Sequence, residues 1–220
     1  MSLRRREPLT QSRPLASDHA AFSLTWTACS TMDRSIARAA ETVRWVQSEG
    51  LPHLFATNTT SRSRADLVRK LSAFGIAAAE SEILTPTAAA AEWLRTNPKG
   101  GVAAFVRPSA RNEFADLPLL AEDAERGAAY VVIGDLGDLW DYRTLNRAFR
   151  LLHYNPDAKL IALGMTRYWR AADGIALDVA PFVVALETLP GGKPWCLASR
   201  APPSFEQRRT DYICYLARFS

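Results

Sequence analysis

The sequence predicts an α/β fold, and three observations carry that prediction. Short apolar runs (LFAT at 54–57, VAAFV at 102–106, AYVVIGD at 129–135, KLIALG at 159–164) end at Thr, Asp or Gly or, for VAAFV, before Arg107 and Pro108, as strands do. Between them lie segments with helical spacing, such as Leu67, Leu71 and Phe74, or YRTLNRAFRLLH at 142–153. The runs are continuously apolar rather than alternating, which suits parallel strands covered on both faces and predicts 131–133 and 160–162 as buried neighbours. Strand and helix alternating along the chain is the α/β pattern.

In order, residues 1–20 have no period and read as disordered. Residues 21–29, AFSLTWTAC, alternate as a strand does, and 35–50 read as a helix carrying Ile36, Ala40, Val43 and Val46 that Gly50 stops. A short buried strand then ends at Phe55. Residues 86–94, PTAAAAEWL, form an alanine-rich helix and 97–101 a loop. VAAFV precedes a helix in ARNEFADL, AYVVIGD precedes YRTLNRAFRLLH, KLIALG precedes an arginine-rich loop, and PFVVALE is the last helix.

The chain is organised around residues 54–64, LFATNTTSRSR, where an apolar run stops at hydroxyl, amide and guanidinium side chains. Thr57 and Asn58 fall at the carboxyl end of the predicted strand, the edge at which open α/β sheets bind ligands. Ser61 and Ser63 then open a helix whose amino terminus points back to the same place. Unpaired N–H groups and the positive end of the helix dipole favour an anion there, and Thr57 and Asn58 can add neutral hydrogen bonds. The bland reading of the same cluster is a set of helix caps.

With 220 residues, 48% hydrophobic and 23% charged, the chain is of ordinary globular composition and long enough for one large domain or a small domain with an insertion. No apolar run reaches membrane-span length. The net charge of +4 sits partly in arginines near the two ends, with no nucleic-acid-binding motif beside them, which argues against a nucleic-acid partner. Cys29, Cys196 and Cys214 are scattered and odd in number, so a reducing compartment, the cytoplasm, is expected. His19, His53 and His153 lack metal-ligand spacing. Asp135, Asp138 and Asp141 read either as paired carboxylates or metal ligands or as loop residues, with Asp141 capping the helix at Tyr142. Arg167, Tyr168, Trp169 and Arg170 suit an anionic or planar ligand, or simple surface packing.

Over residues 55–192 the chain resembles subclass IIA of the haloacid dehalogenase-like hydrolases. The resemblance lies in TNTTSRSRADL, LTPTAAAAEWL, YVVIGDLGDLWDYRTLNRAFRLL and, above all, LIALGMTRYWRAADGIALDVAPFVVALE. It implies an incomplete Rossmann-like core with an inserted α/β cap of the C2 type. The expected division is a disordered segment at 1–20, the first part of the core at 21–85, the cap at 86–178 and a truncated return to the core with an aberrant tail at 179–220. It also implies a phosphatase: Mg²⁺-dependent hydrolysis of a phosphoester or pyrophosphate through an aspartyl-phosphate, with a small phosphorylated molecule or pyrophosphate as partner and a homodimer through the cap. Metal and cations neutralise phosphate charge so that a carboxylate can approach it. Thr57 and Asn58 match the family's phosphate-binding second motif, and Arg167, Tyr168 and Arg170 are implied cap contacts.

Two segments depart from the family. Where a DxDG-type motif supplies the nucleophilic aspartate, residues 23–32 read SLTWTACSTM; where VVLGKP is expected after Pro194, the chain reads WCLASRAPPSF, and it ends before the family's later GDD-type metal motif. One set of permitted codons for 23–33 encodes Leu-Asp-Leu-Asp-Gly-Val-Leu-Tyr-His-Gly in an alternative frame. Another set for 194–202 encodes Val-Val-Leu-Gly-Lys-Pro-Arg-Pro. Both segments therefore read as frameshifted. The sequence-level expectation is an inactive phosphatase with no catalytic and no metal-binding residues of its own and with a poorly packed tail at 195–220. The alternative is a non-catalytic remnant or a module that binds a phosphorylated ligand.

Overall fold

The structure, a computed structural model, describes residues 39–171 and 173–187 with their side chains, and the backbone of 22–25, 30–31, 34–35 and 195–196. The expectations for 1–20 and for most of the tail fall outside these residues. A first parallel sheet has the order β1–β4–β5, formed by Phe22–Thr25, His53–Ala56 and Ile83–Leu84. The pair Ser30–Thr31 (β2) and Arg34–Ser35 (β3) makes a small antiparallel ladder, so Ser35 belongs to a strand rather than to the predicted helix. Helices Ala39–Ser48 (α1) and Arg64–Ala73 (α2) bury Val43, Leu67 and Leu71 with Phe55 and Ile83 of this sheet. Gly50, at φ 62°, ends the turn after α1, a conformation that costs glycine no Cβ clash.

The second sheet is parallel throughout, in the order β11–β8–β7–β6: Trp195–Cys196, Lys159–Ala162, Ala128–Ile133 and Gly101–Phe105. Val131, Val132 and Ile133 lie opposite Leu160, Ile161 and Ala162, the neighbours predicted from the apolar runs. The two-residue period of a strand sorts those runs onto two faces. Val102, Ala104, Tyr130, Val132 and Ile161 meet Ala90, Trp93 and Leu94 of Pro86–Thr96 (α3) together with Phe114. Ala103, Phe105, Val131, Ile133 and Leu160 meet Ala148 and Leu151 of Tyr142–His153 (α5), and Val179, Val183 and Leu186 of Val179–Glu187 (α6). Both faces are covered, which is why no polar alternation appears in the sequence. The outer edge of β6 is also closed: the N–H of Val102 donates to Pro118 O, and the N–H of Leu120 to Val102 O.

Two further local expectations change. The arginine-rich stretch after β8 is not a loop but a hairpin of Tyr168–Ala171 (β9) and Gly174–Leu177 (β10), with Tyr168 opposite Leu177 and Ala171 opposite Gly174. Its aromatic residues favour strand, and its exposure leaves the charges in water. The helix expected in ARNEFADL is only Pro108–Arg111 (α4), followed by a 3-10 turn over Asn112–Phe114. After β10, α6 packs on the second sheet and β11 pairs with β8.

Candidate functional site

The first sheet delivers the cluster where the sequence predicts it. β4 ends at Ala56, and the N–H of Thr57 donates to Leu84 O at the end of β5 (3.1 Å). On the other side Thr25, the last residue of β1, lies opposite Ala56. The β1 part of the segment that departs from the family thus ends opposite Ala56, one residue before Thr57. Thr57 is buried, and its hydroxyl closes a turn by donating to Thr59 Oγ1 and accepting from Thr59 N, both at 3.1 Å. Asn58 is exposed at the crest of that turn, and among the described residues nothing engages its amide. Thr60, also buried, accepts the N–H of Asp135 (2.9 Å).

Ser63 caps α2 through a reciprocal box: its hydroxyl accepts the N–H of Asp66 (3.1 Å), and the Asp66 carboxylate accepts the N–H of Ser63 (3.2 Å). These hydrogen bonds, the Ser63 hydroxyl foremost, hold the Asp66 carboxyl below its ordinary range against the cost of burial. The next N–H, that of Arg64, donates to Glu113 Oε1 (3.0 Å), whose carboxylate also takes the Arg64 guanidinium at 2.9 to 3.2 Å. Much of the anion seat expected at this helix end is therefore filled by the chain's own carboxylates. The sequence does not single out Thr60, Arg64 or Glu113 as site residues, and it marks Asp135 only as a candidate carboxylate or loop residue. Thr60 lay inside the cluster, whereas nothing in ARNEF distinguishes Glu113 from a solvated charge.

The three aspartates of the GDLGDLWD stretch have separate tasks. Asp135 accepts Gly137 N (2.9 Å), Asp138 pairs with Arg107 (3.3 Å), and Asp141 caps α5 by accepting Thr144 N (2.7 Å), as the sequence predicts. His53 packs edge-on against Phe55 and His153 stacks on Phe149. Arg167, Tyr168 and Arg170 lie exposed on or beside the β9–β10 hairpin, and among the described residues no hydrogen bond or ion pair joins them to Thr57 or Asn58.

Beyond Asp135 lies Asp178, whose carboxylate accepts Val179 N (2.8 Å). Burial pushes this carboxyl above its ordinary range and the charge of Asp135 adds to the effect, while the Val179 N–H and the Thr166 hydroxyl pull it back. A carboxyl so raised contributes most below the ordinary carboxylate pKa and loses that contribution as pH rises through the raised value. The contribution of Asp178 to stability should fall as pH rises from about 4. Asp178→Asn, which keeps an acceptor for Val179 N, should flatten that fall and be the more stable form at neutral pH; urea melts across the range test this.

Magnesium does not fit the residues described. It takes oxygen donors, with one or two carboxylates beside substrate phosphate. Among the described residues no group of three or more His, Cys, Asp or Glu converges, and the Asp135 and Asp178 carboxylates are spent on their own turns. Thr57, Asn58 and Thr60 offer only neutral groups.

A parallel sheet ending in a Thr-Asn turn, a capped helix after it and a second doubly covered parallel sheet go with a similarity, in sequence and in fold, to the haloacid dehalogenase-like hydrolases. The family model described as haloacid dehalogenase-like hydrolase matches residues 30–119. The chain is 30% identical over 174 residues to the phospholysine phosphohistidine inorganic pyrophosphate phosphatase of Homo sapiens, covering 78% of this chain and 61% of that protein. It is 33% identical over 155 residues to haloacid dehalogenase-like hydrolase domain-containing protein 2 of Mus musculus, covering 70% and 56%. The chain thus spans less than two thirds of these relatives' length. Its fold is similar to that of a hypothetical protein of Pyrococcus horikoshii OT3 (TM-score 0.75, 19% identity, 81% of this chain and 70% of that one). It is also similar to that of p-nitrophenyl phosphatase from Archaeoglobus fulgidus (TM-score 0.70, 24% identity, 81% and 68%). No helix among the described residues is long and apolar enough to cross a membrane.

Proposed function

We propose that this chain carries the phosphate-holding part of a haloacid dehalogenase-like phosphatase and, as written, binds a small phosphorylated molecule or pyrophosphate at Thr57 and Asn58 without hydrolysing it. The observation that carries the reading is the register of β1 on β4. The strand end at which the family's chemistry needs a carboxylate runs alongside Ala56, and the segment there is SLTWTACSTM. Neutral hydrogen bonds can hold a phosphate and cannot attack it.

In this reading the core comprises 21–85, and the cap begins at 86 and includes α6 and β11, whose packing on the second sheet supports the later boundary. Both aberrant segments are frameshifts of a gene whose intact product is a cytoplasmic, Mg²⁺-dependent phosphatase. Arg167, Tyr168 and Arg170 contact substrate from the cap, and the exposed Ile175 and Leu177 of the hairpin support self-association through the cap.

Calorimetric titration of the purified chain with inorganic phosphate and with pyrophosphate tests the reading. Saturable, magnesium-independent binding is expected. Asn58→Ala should remove a ligand contact and Thr57→Ala should open the turn beneath it, each weakening binding about tenfold, the scale of a hydrogen bond to a charged group. Binding that ignores both substitutions, or no binding by the unaltered chain, overturns the proposal.

A further inference from the structure

We propose that Glu113 is a positioning residue for the phosphate loop at 57–63, acting through Arg64; the inference rests on the phosphate-site reading above. Three contacts tie this loop and the start of α2 to the second sheet's elements, and they are spread along it. The N–H of Asp135, just beyond β7, donates to Thr60 Oγ1 (2.9 Å). The Ser109 hydroxyl of α4 donates to Ser61 O (3.0 Å). Glu113 accepts from both the backbone N–H and the guanidinium of Arg64.

Glu113 differs in kind from the other two. It is a charged side chain only 7% exposed, and it gathers a helix-end N–H and a fork-shaped guanidinium around one carboxylate. That is how a protein receives a bound anion. A ligand phosphate therefore finds the Arg64 N–H already taken, and its remaining partners lie upstream, at the turn that Thr57 closes and Asn58 crowns. Fixing Arg64 fixes the carboxyl-terminal end of that loop, while β4 fixes the other. With both ends held, the crest is presented in one conformation and binding costs less ordering entropy.

The geometry points to an experiment on the full chain with inorganic phosphate as probe. In Glu113→Ala, amide exchange at Thr59, whose N–H donates to the Thr57 hydroxyl, should accelerate about tenfold while Leu71 inside α2 stays protected. Phosphate affinity should fall about tenfold, the scale on which outer-shell partners act. Millimolar formate or acetate, small carboxylates able to enter the vacated seat, should restore both readouts, and so should Glu113→Gln in part, because its amide oxygen still accepts the Arg64 N–H. General destabilisation would raise exchange throughout α2 and would not respond to formate. Unchanged Thr59 exchange, or altered exchange with unchanged phosphate affinity, overturns the assignment. If the unaltered chain shows no Asn58-dependent phosphate binding, the site reading itself fails, and with it the role given to Glu113; that result is told apart from the others because it needs no Glu113 variant.

Discussion

A protein in which both aberrant segments are read in the alternative frame, extended through the rest of the family's core, is expected to hydrolyse an aryl phosphate and pyrophosphate in the presence of Mg²⁺, and the chain as written is not. Removing the nucleophile of a covalent hydrolase costs on the order of a millionfold, and removing further members of the same machinery adds little. The contrast should therefore be close to all-or-none. The structural reason is local: β1 ends at Thr25, opposite Ala56, and the alternative frame brings an aspartate to the overlap of Leu24 and Thr25. Steady-state assays of both proteins, with Thr57→Ala made in each, check the expectation. Mg²⁺- and Thr57-dependent turnover by the chain as written sinks the inactive reading, and a silent repaired protein sinks the frameshift account.

The second large effect is on stability. Tyr130 is 1% exposed on the central strand β7, meets Trp93 of α3 edge to face at a centroid distance of 5.5 Å, and donates its hydroxyl to Asn97 O (2.8 Å). It joins the strand to the helix packed on it and to the turn that ends that helix. Burial also keeps its hydroxyl protonated beyond the ordinary range. Tyr130→Ala should cost about 3–5 kcal/mol, the range for deleting a large buried side chain from a packed core. Tyr130→Phe should cost only about 1 kcal/mol, leaving Asn97 O without its donor but filling the space. A small domain has only about 5–15 kcal/mol in hand, so the alanine variant should melt far earlier. Urea unfolding measures both, and a loss under about 1 kcal/mol for Tyr130→Ala would mean that β7 and α3 are not packed as described.

Most of the fold was legible because its signals are local. Ser63 and Asp141 begin helices by a chemistry that operates within four residues, and the apolar runs of β6, β7 and β8 are long and unbroken enough to read as doubly covered strands. Thr57 and Asn58 could be put at a sheet edge for the same reason. What escaped depends on distant parts of the chain. Glu113 meets Arg64 across 49 residues, and no spacing rule links them. Thr60 reads as one hydroxyl among several until the N–H of Asp135 reaches it. The hairpin was hidden by arginines whose charge suggested a loop. In fact the strand turns on Gly174, at φ 144°, and the charges point to water.

One edge of the second sheet has a bearing on how the chain behaves when shortened. β8 is flanked by β7 on one side and, among the described residues, by Trp195 and Cys196 on the other, opposite Ile161 and Ala162. Those two residues belong to the segment whose frame is in question, yet strand pairing asks for little more than backbone N–H and C=O groups in register. The ladder thus depends on the backbone of this segment and not on its side chains. A chain cut before residue 195 would leave the outer edge of Lys-Leu-Ile-Ala, with its row of unused donors and acceptors, open to an identical edge on another molecule. Such a shortened chain is expected to associate edge to edge and to be less soluble, which light scattering would show.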